Sequence, residues 1–109
     1  MPKVNRKGTA AEIRERQARF DRYLAAGVPT GDAVRLALSA DPHDRERTQR
    51  AIPDFAARHG INSKLAAAAI YGGRKPTDDL CTALAAELGQ GADYWMQLLW
   101  PRASAVASA

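Results

Sequence analysis

Residues suited to nucleophilic or metal chemistry are few and widely separated in this chain of 109 residues. There is one cysteine, Cys81, and the two histidines, His43 and His59, fall in different predicted elements. A structural zinc site needs four ligands, and nucleophilic catalysis needs a base placed beside the nucleophile. We therefore predict no metal site, no cofactor and no enzymatic activity. Cys81 is interpreted as a small buried apolar residue.

The cationic side chains are distributed unevenly. The net charge is +4, and residues 1–50 hold eleven Lys and Arg against seven Asp and Glu. Residues 51–75 hold four cations against Asp54 alone, whereas residues 76–109 hold one cation against four acidic residues. Basic charge that stops near Pro76 favours a polyanion such as nucleic acid as partner. The alternative is a mildly basic protein whose charges serve only its solubility.

Neither a membrane span nor a leader sequence is expected. No apolar run approaches the roughly 18 residues of a transmembrane helix. The basic stretch Met1 to Lys7 is not followed by the apolar segment of a secretory signal. A single cysteine forms no internal disulfide, which fits a reducing compartment. These features predict a cytoplasmic protein without membrane contact.

Capping signals in the first half predict short helices. Thr9 and Glu12 have the spacing of a capping box, and Gly27 is suited to end the helix that follows. Thr30 is the predicted cap of a second helix. Asp41-Pro42 is the predicted start of a third, with the proline in the first helical position.

The second half continues with the same kind of signals, and no strand pattern is found. Its four predicted helices are bounded by turn and capping residues: Pro53 and Gly60, Asn62 and Gly72, Thr77 and Gly89, and finally Pro101. Some of these seven segments are short, and the chain is predicted to be an all-α, compact bundle of five or six helices. Its predicted parts are a disordered basic N-terminus (1–8), an N-terminal helical extension (9–50), the main domain (51–100) and a disordered tail (101–109).

The turn Gly60-Ile61-Asn62 is the most informative short segment. Gly60 tolerates positive φ, Ile61 can fill the gap between two helices, and Asn62 can cap the second one. Two helices joined in this way are the arrangement that places a second helix in the major groove of DNA. We predict a helix-turn-helix over about 52–71. The alternative is an ordinary helical hairpin within a bundle.

Three segments carry a resemblance to a known family. Asp54 to Lys64, then Tyr71 to Pro76, then Leu84 to Gly89 resemble, in order, the Cro and lambda-repressor type helix-turn-helix family. The resemblance extends over residues 51–100. It implies a sequence-specific double-stranded DNA-binding transcriptional regulator, a phage- or prophage-type repressor that occludes a promoter as a homodimer.

The resemblance also implies a role for individual positions. The residues expected to contact bases are Ser63, Lys64, Ala67 and Ala68. Those expected to contact phosphates are Asn62, Tyr71, Arg74 and Lys75. Those expected at a dimer or partner interface are Tyr94, Trp95, Leu98, Leu99 and Trp100.

The predicted recognition helix departs from the family pattern in its composition. Residues 65–70 carry almost no side chain that can form a hydrogen bond. The family register leaves Leu65 partly exposed and buries Ala66 and Ala69. A slip of one residue would move the expected base contacts.

Two other functions remain open. Residues 92–98 are similar to the ending of HigA-type antitoxins, which implies binding of both DNA and a toxin. Residues 17–27 and 32–37 resemble the N-terminal helix-turn-helix of phage terminase small subunits, which implies a DNA-packaging protein. The alternative for the first half is a helical arm that packs on the second half.

Overall fold

The computed structural model describes residues 9–101, and within that range it contains helices and no strand. The helices are α1 (Ala10–Ala25), α2 (Thr30–Leu38), α3 (Arg45–Gln49), α4 (Ala51–His59), α5 (Ser63–Ile70), α6 (Asp78–Leu88) and α7 (Ala92–Leu99). The all-α class is therefore confirmed, and residues 9–101 form seven helices where a bundle of five or six is predicted. The segments 1–8 and 102–109, which the sequence predicts to be disordered, lie outside the described residues.

Side-chain caps set several of the helix starts. At the start of α1, Glu12 N donates to Thr9 Oγ1 (3.1 Å) and Thr9 N donates to Glu12 Oε1 (2.8 Å). This is the predicted capping box, in which two amides without a helical partner are satisfied together. Thr77 starts α6 in a simpler way, because its Oγ1 accepts from Leu80 N at 3.1 Å.

The predicted cap at Thr30 is wrong, because Thr30 is already the first residue of α2. Pro29 occupies the capping position and makes no side-chain hydrogen bond there. Its carbonyl accepts from Ala33 N at 2.9 Å, so the helical ladder begins one residue earlier than expected. The proline ring already holds φ near its helical value, which favours this earlier entry.

The third helix, in contrast to α2, begins later than predicted. Asp41 does not cap it, because its carboxylate accepts from His43 N at 3.0 Å in a local turn. Asp44 is the cap, and its Oδ1 accepts from Arg47 N at 3.1 Å. Both aspartates have suitable chemistry for the role, and the turn at Asp41-Pro42 decides between them.

One core joins the two halves of the chain. Apolar side chains of every helix except α3 contribute to it. The ring of Phe20 lies 5.1 Å from that of Trp95, centroid to centroid, so that α1 contacts α7. Each large side chain buried in this way contributes roughly 1.5–3 kcal/mol to folding. Residues 9–50, an extension in the sequence-based division, thus share their core with residues 51–100.

Polar contacts reinforce the attachment of α1. Arg16 Nε donates to the carbonyl of Glu87 at 2.8 Å, and Arg19 Nη2 donates to that of Ala37 at 2.9 Å. The arginines of α1 therefore help to hold α6 and α2. In the described part of the chain, no helix is both long and apolar enough to cross a membrane.

Candidate nucleic-acid interface

The connection between α4 and α5 is a tight turn with both helix ends satisfied. Gly60 ends α4 in the left-handed conformation (φ +67°, ψ +31°), which glycine adopts without steric cost. Ile61 N then donates back to Ala56 O at 2.9 Å. Asn62 caps α5, with its Oδ1 accepting from Leu65 N at 3.1 Å. The predicted helix, turn and helix over this segment are confirmed as structure.

Small residues occupy the buried sides of these two helices. Ala56 of α4 and Ala66 and Ala69 of α5 are almost completely buried, and α4 and α5 are in contact. Leu65, by contrast, is 43% exposed. This is the register that the family resemblance implies, and the slip of one residue does not occur.

The four residues predicted to contact bases lie on α5 outside its fully buried stripe. Lys64 is exposed, and Ser63, Ala67 and Ala68 are partly exposed. Ser63 and Lys64 are in the first turn, where backbone amides lack partners within the helix and the helix dipole favours anions. Asn62 satisfies one of these amides, that of Leu65, with its own side chain.

The loop after α5 presents two further cations. Arg74 and Lys75 are both exposed. Gly72 turns the chain with φ +83°, and Gly73 N donates to Ala68 O at 2.7 Å. The loop therefore starts from a fixed position at the end of α5. Among residues 9–101, no carboxylate lies within ion-pair distance of Lys64, Arg74 or Lys75.

Tyr71, which is predicted to contact a phosphate, also forms hydrogen bonds within the protein. Its side chain is half-exposed, but its hydroxyl donates to Asp32 Oδ1 at 2.9 Å and accepts from Arg35 Nε at 3.0 Å. Burial, followed by the hydrogen bond to Asp32, raises the pKa of Tyr71. The hydroxyl proton is committed to a carboxylate, so Tyr71 links the end of α5 to α2. Its ring lies over Gly31, where a Cβ would overlap it.

Two of the residues predicted for a dimer or partner interface are core residues. Trp95 is completely buried and its Nε1 donates to Gly89 O at 2.9 Å, while Leu99 is only 4% exposed. Their assignment to an interface is wrong, because they fill the space between α7 and the rest of the bundle. Tyr94, Leu98 and Trp100 are partly exposed.

A second group of charged side chains is satisfied internally. Arg58 donates to both oxygens of Glu87, through Nε (3.0 Å) and Nη2 (2.7 Å), and His59 Nε2 lies 2.7 Å from Glu87 Oε2. The Glu87 side chain is only 7% exposed. Burial alone would raise the pKa of Glu87, but the hydrogen bonds and charges of Arg58 and His59 outweigh it and hold that pKa below its usual value.

This cluster of Arg58, His59 and Glu87 was not identified from the sequence. Arg58 stands among the cations of residues 51–75, and its partner lies 29 positions further along the chain. No local pattern connects the two residues, because only the packing of α6 against the other helices brings them together. Within the described part of the chain, residues 51–75 therefore present three cations without a carboxylate partner rather than four.

No metal site is formed within residues 9–101, where no group of three or more His, Cys, Asp and Glu side chains is placed to hold an ion. Comparison of the chain with protein-family models, with curated proteins and with solved structures found no significant match.

Proposed function

We propose that this protein is a sequence-specific double-stranded DNA-binding regulator, a phage- or prophage-type repressor that acts by occluding a promoter. The observation that carries the proposal is the surface formed by Lys64, Arg74 and Lys75. Lys64 stands at the start of α5, the helix that follows the turn, and Arg74 and Lys75 stand on the loop after it. Among the described residues, no carboxylate lies within ion-pair distance of any of the three. A polyanion is the partner that such a surface favours.

The dimensions of α5 favour a duplex over other polyanions. A helix with its side chains is about 10–12 Å across, so α5 fits the roughly 12 Å width of the major groove. With the first turn of α5 in the groove, Lys64 and Ser63 reach base edges. Arg74 and Lys75 then approach the phosphates on one side of the groove, which fixes position without reading sequence.

The proposal includes binding as a homodimer to an inverted repeat. Helix-turn-helix dimers place two recognition helices about 34 Å apart, one turn of the duplex. With Trp95 and Leu99 in the core, the remaining candidates for the contact are the partly exposed Tyr94, Leu98 and Trp100, which lie in α7 and directly after it. Sedimentation of the protein with and without a two-site duplex tests this part. A monomer on a single half-site would contradict it.

The first experiment measures binding to the DNA just upstream of the protein's own gene and to random duplex, across a salt series. The proposal predicts tight binding of the upstream fragment that resists random competitor. Lys64→Ala should weaken binding to that fragment alone, whereas Arg74→Ala should weaken binding to both DNAs equally and lower the salt dependence. Equal, weak binding of both DNAs by the wild type would contradict sequence-specific regulation.

A further inference from the structure

The outward face of α5 is apolar at its centre. Leu65 is 43% exposed and is one of two large hydrophobic residues, with Tyr71, that stand exposed among residues 9–101. Ala68 lies three positions later on the same face, since residues separated by three or four positions are neighbours on a helix. The exposure of Leu65 leaves an apolar contact available to a partner.

Cations surround this apolar centre. Lys64 precedes Leu65, and a shallow groove beside Leu65 is lined by Arg74 and Lys75 together with Ile61 and Thr77. No acidic residue occurs between Asp54 and Asp78 in the sequence. The complementary surface therefore has an apolar centre and anionic edges. The major groove of DNA offers this combination, with thymine methyl groups on its floor and phosphates along its rims.

Hydrogen bonds can supply only part of the sequence reading. From position 65 to position 70 the helix has the sequence Leu-Ala-Ala-Ala-Ala-Ile, and none of these side chains can donate or accept. Base discrimination deeper in the groove must therefore use another kind of contact. Alanine side chains allow the helix backbone to approach the bases closely, and apolar contact with the thymine 5-methyl group is the contact such a surface can make.

We infer that Leu65, supported by Ala68, is a specificity-determining residue that reads the 5-methyl groups of thymine in the major groove. The inference rests on the proposed DNA-binding function and adds a base and a residue to it. It predicts that the preferred site contains thymine at a fixed position in each half-site. It also predicts that losing the methyl group, with every hydrogen-bonding atom kept, lowers affinity.

The test exchanges thymine for uracil, which differs only by that methyl group. Duplexes bound by the wild-type protein are first selected from a random 20-base-pair library, and the enriched duplex is then made with uracil at one thymine at a time. At the contacted position the affinity should fall about fourfold, the effect of one buried methyl group. Leu65→Ala should bring the ratio of thymine to uracil affinity close to one at that position. Arg74→Ala is the matched control, and it should weaken both duplexes equally.

Each outcome separates the inference from the function on which it rests. Selection of a duplex without thymine, or equal binding of thymine and uracil duplexes, would overturn the inference and leave DNA binding intact. Absence of binding to any duplex would overturn both. The wild-type comparison involves no substitution, so it does not depend on whether Leu65→Ala folds. A folded Leu65→Ala variant that still prefers thymine would assign the contact to another residue.

Discussion

Two neighbouring groups of cations differ in what surrounds them. Arg58 and His59, at the end of α4, share the buried carboxylate of Glu87, whereas Arg74 and Lys75, after α5, have no carboxylate within ion-pair distance in the described part of the chain. We call the first group the Glu87 cluster (Arg58, His59, Glu87) and the second the exposed cluster (Lys64, Arg74, Lys75). A count of cations in a segment therefore does not identify a binding surface, because their carboxylate partners can lie elsewhere in the chain.

We expect the Glu87 cluster to contribute to the stability of the fold and the exposed cluster to contribute to ligand binding. Glu87→Ala should lower the free energy of unfolding by about 2–3 kcal/mol, because Arg58 and His59 lose charged hydrogen bonds at a buried site. Denaturant unfolding checks the value. Glu15→Ala, at an exposed glutamate of α1, is the control and should change stability by less than about 0.5 kcal/mol. Equal effects of the two substitutions would remove the distinction.

The same cluster predicts a pH dependence with a defined sign. The pKa of Glu87 is lowered in the folded protein, so its contribution to stability is present at neutral pH. The contribution is lost as the pH falls below the ordinary glutamate value of about 4.5 and through the folded-state pKa. Glu87→Gln lacks this contribution, so its stability difference from the wild type should shrink in acid. A difference that stays constant from pH 7 to pH 3 would contradict the assignment.

The exposed cluster depends on the position of α5, which Tyr71 ties to α2. Gly31→Ala should destabilise the protein by about 1–2 kcal/mol, because the new Cβ overlaps the Tyr71 ring. In a Tyr71→Ala background the same substitution should cost little, since the ring is gone. A double-mutant cycle of unfolding free energies measures this coupling. Additive effects would show that the two residues do not restrain each other.

The turn at Gly60 lies, along the chain, between the cations of the Glu87 cluster and those of the exposed cluster. Gly60→Ala should cost about 1 kcal/mol, because alanine is strained at φ +67° although open space surrounds the site. Gly60→Asn is a suitable control, because asparagine adopts the left-handed conformation more readily than alanine and open space surrounds the site. Thermal unfolding of both variants compares them. A Gly60→Ala variant no less stable than Gly60→Asn would refute the strain argument.

The smallest effect on stability is expected in the exposed cluster itself. Arg74→Ala should change the free energy of unfolding by less than about 0.5 kcal/mol, because its side chain is exposed and unpaired. Its effect should instead fall on DNA affinity, which the thermal and denaturant measurements do not register. A large loss of stability in Arg74→Ala would place Arg74 with the structural cations and weaken the comparison.

The sequence predicted those features that depend on neighbouring residues. The capping box of Thr9, the left-handed Gly60 and the caps at Asn62 and Thr77 all follow from short patterns. The prediction of Asp41 as the cap of α3 is wrong, because Asp44 has the same chemistry and the local turn at Asp41 decides between them.

The features that sequence did not predict depend on residues far apart in the chain. For Tyr71 the sequence predicted only a phosphate contact, because no neighbouring residue indicates its hydrogen bond to Asp32, which lies 39 positions earlier. For Trp95 the sequence left both the core and an interface open, because its partner ring, Phe20, belongs to the distant helix α1. In the same way, the sequence does not indicate that Arg58 is paired, because its partner Glu87 lies on α6. The sequence left the register of α5 open by one residue, and the burial of Ala66 and Ala69 with Leu65 exposed decides it.

The most direct test of the account compares DNA binding by the wild type, Arg74→Ala/Lys75→Ala and Arg22→Ala between 50 and 200 mM salt. Arg22 is an exposed arginine of α1 and serves as the control. Each phosphate contact contributes about 0.9 to the slope of log affinity against log salt. The account predicts that the double variant loses about two units of slope while Arg22→Ala matches the wild type. Identical slopes for all three proteins, or absence of DNA binding by the wild type, would contradict it.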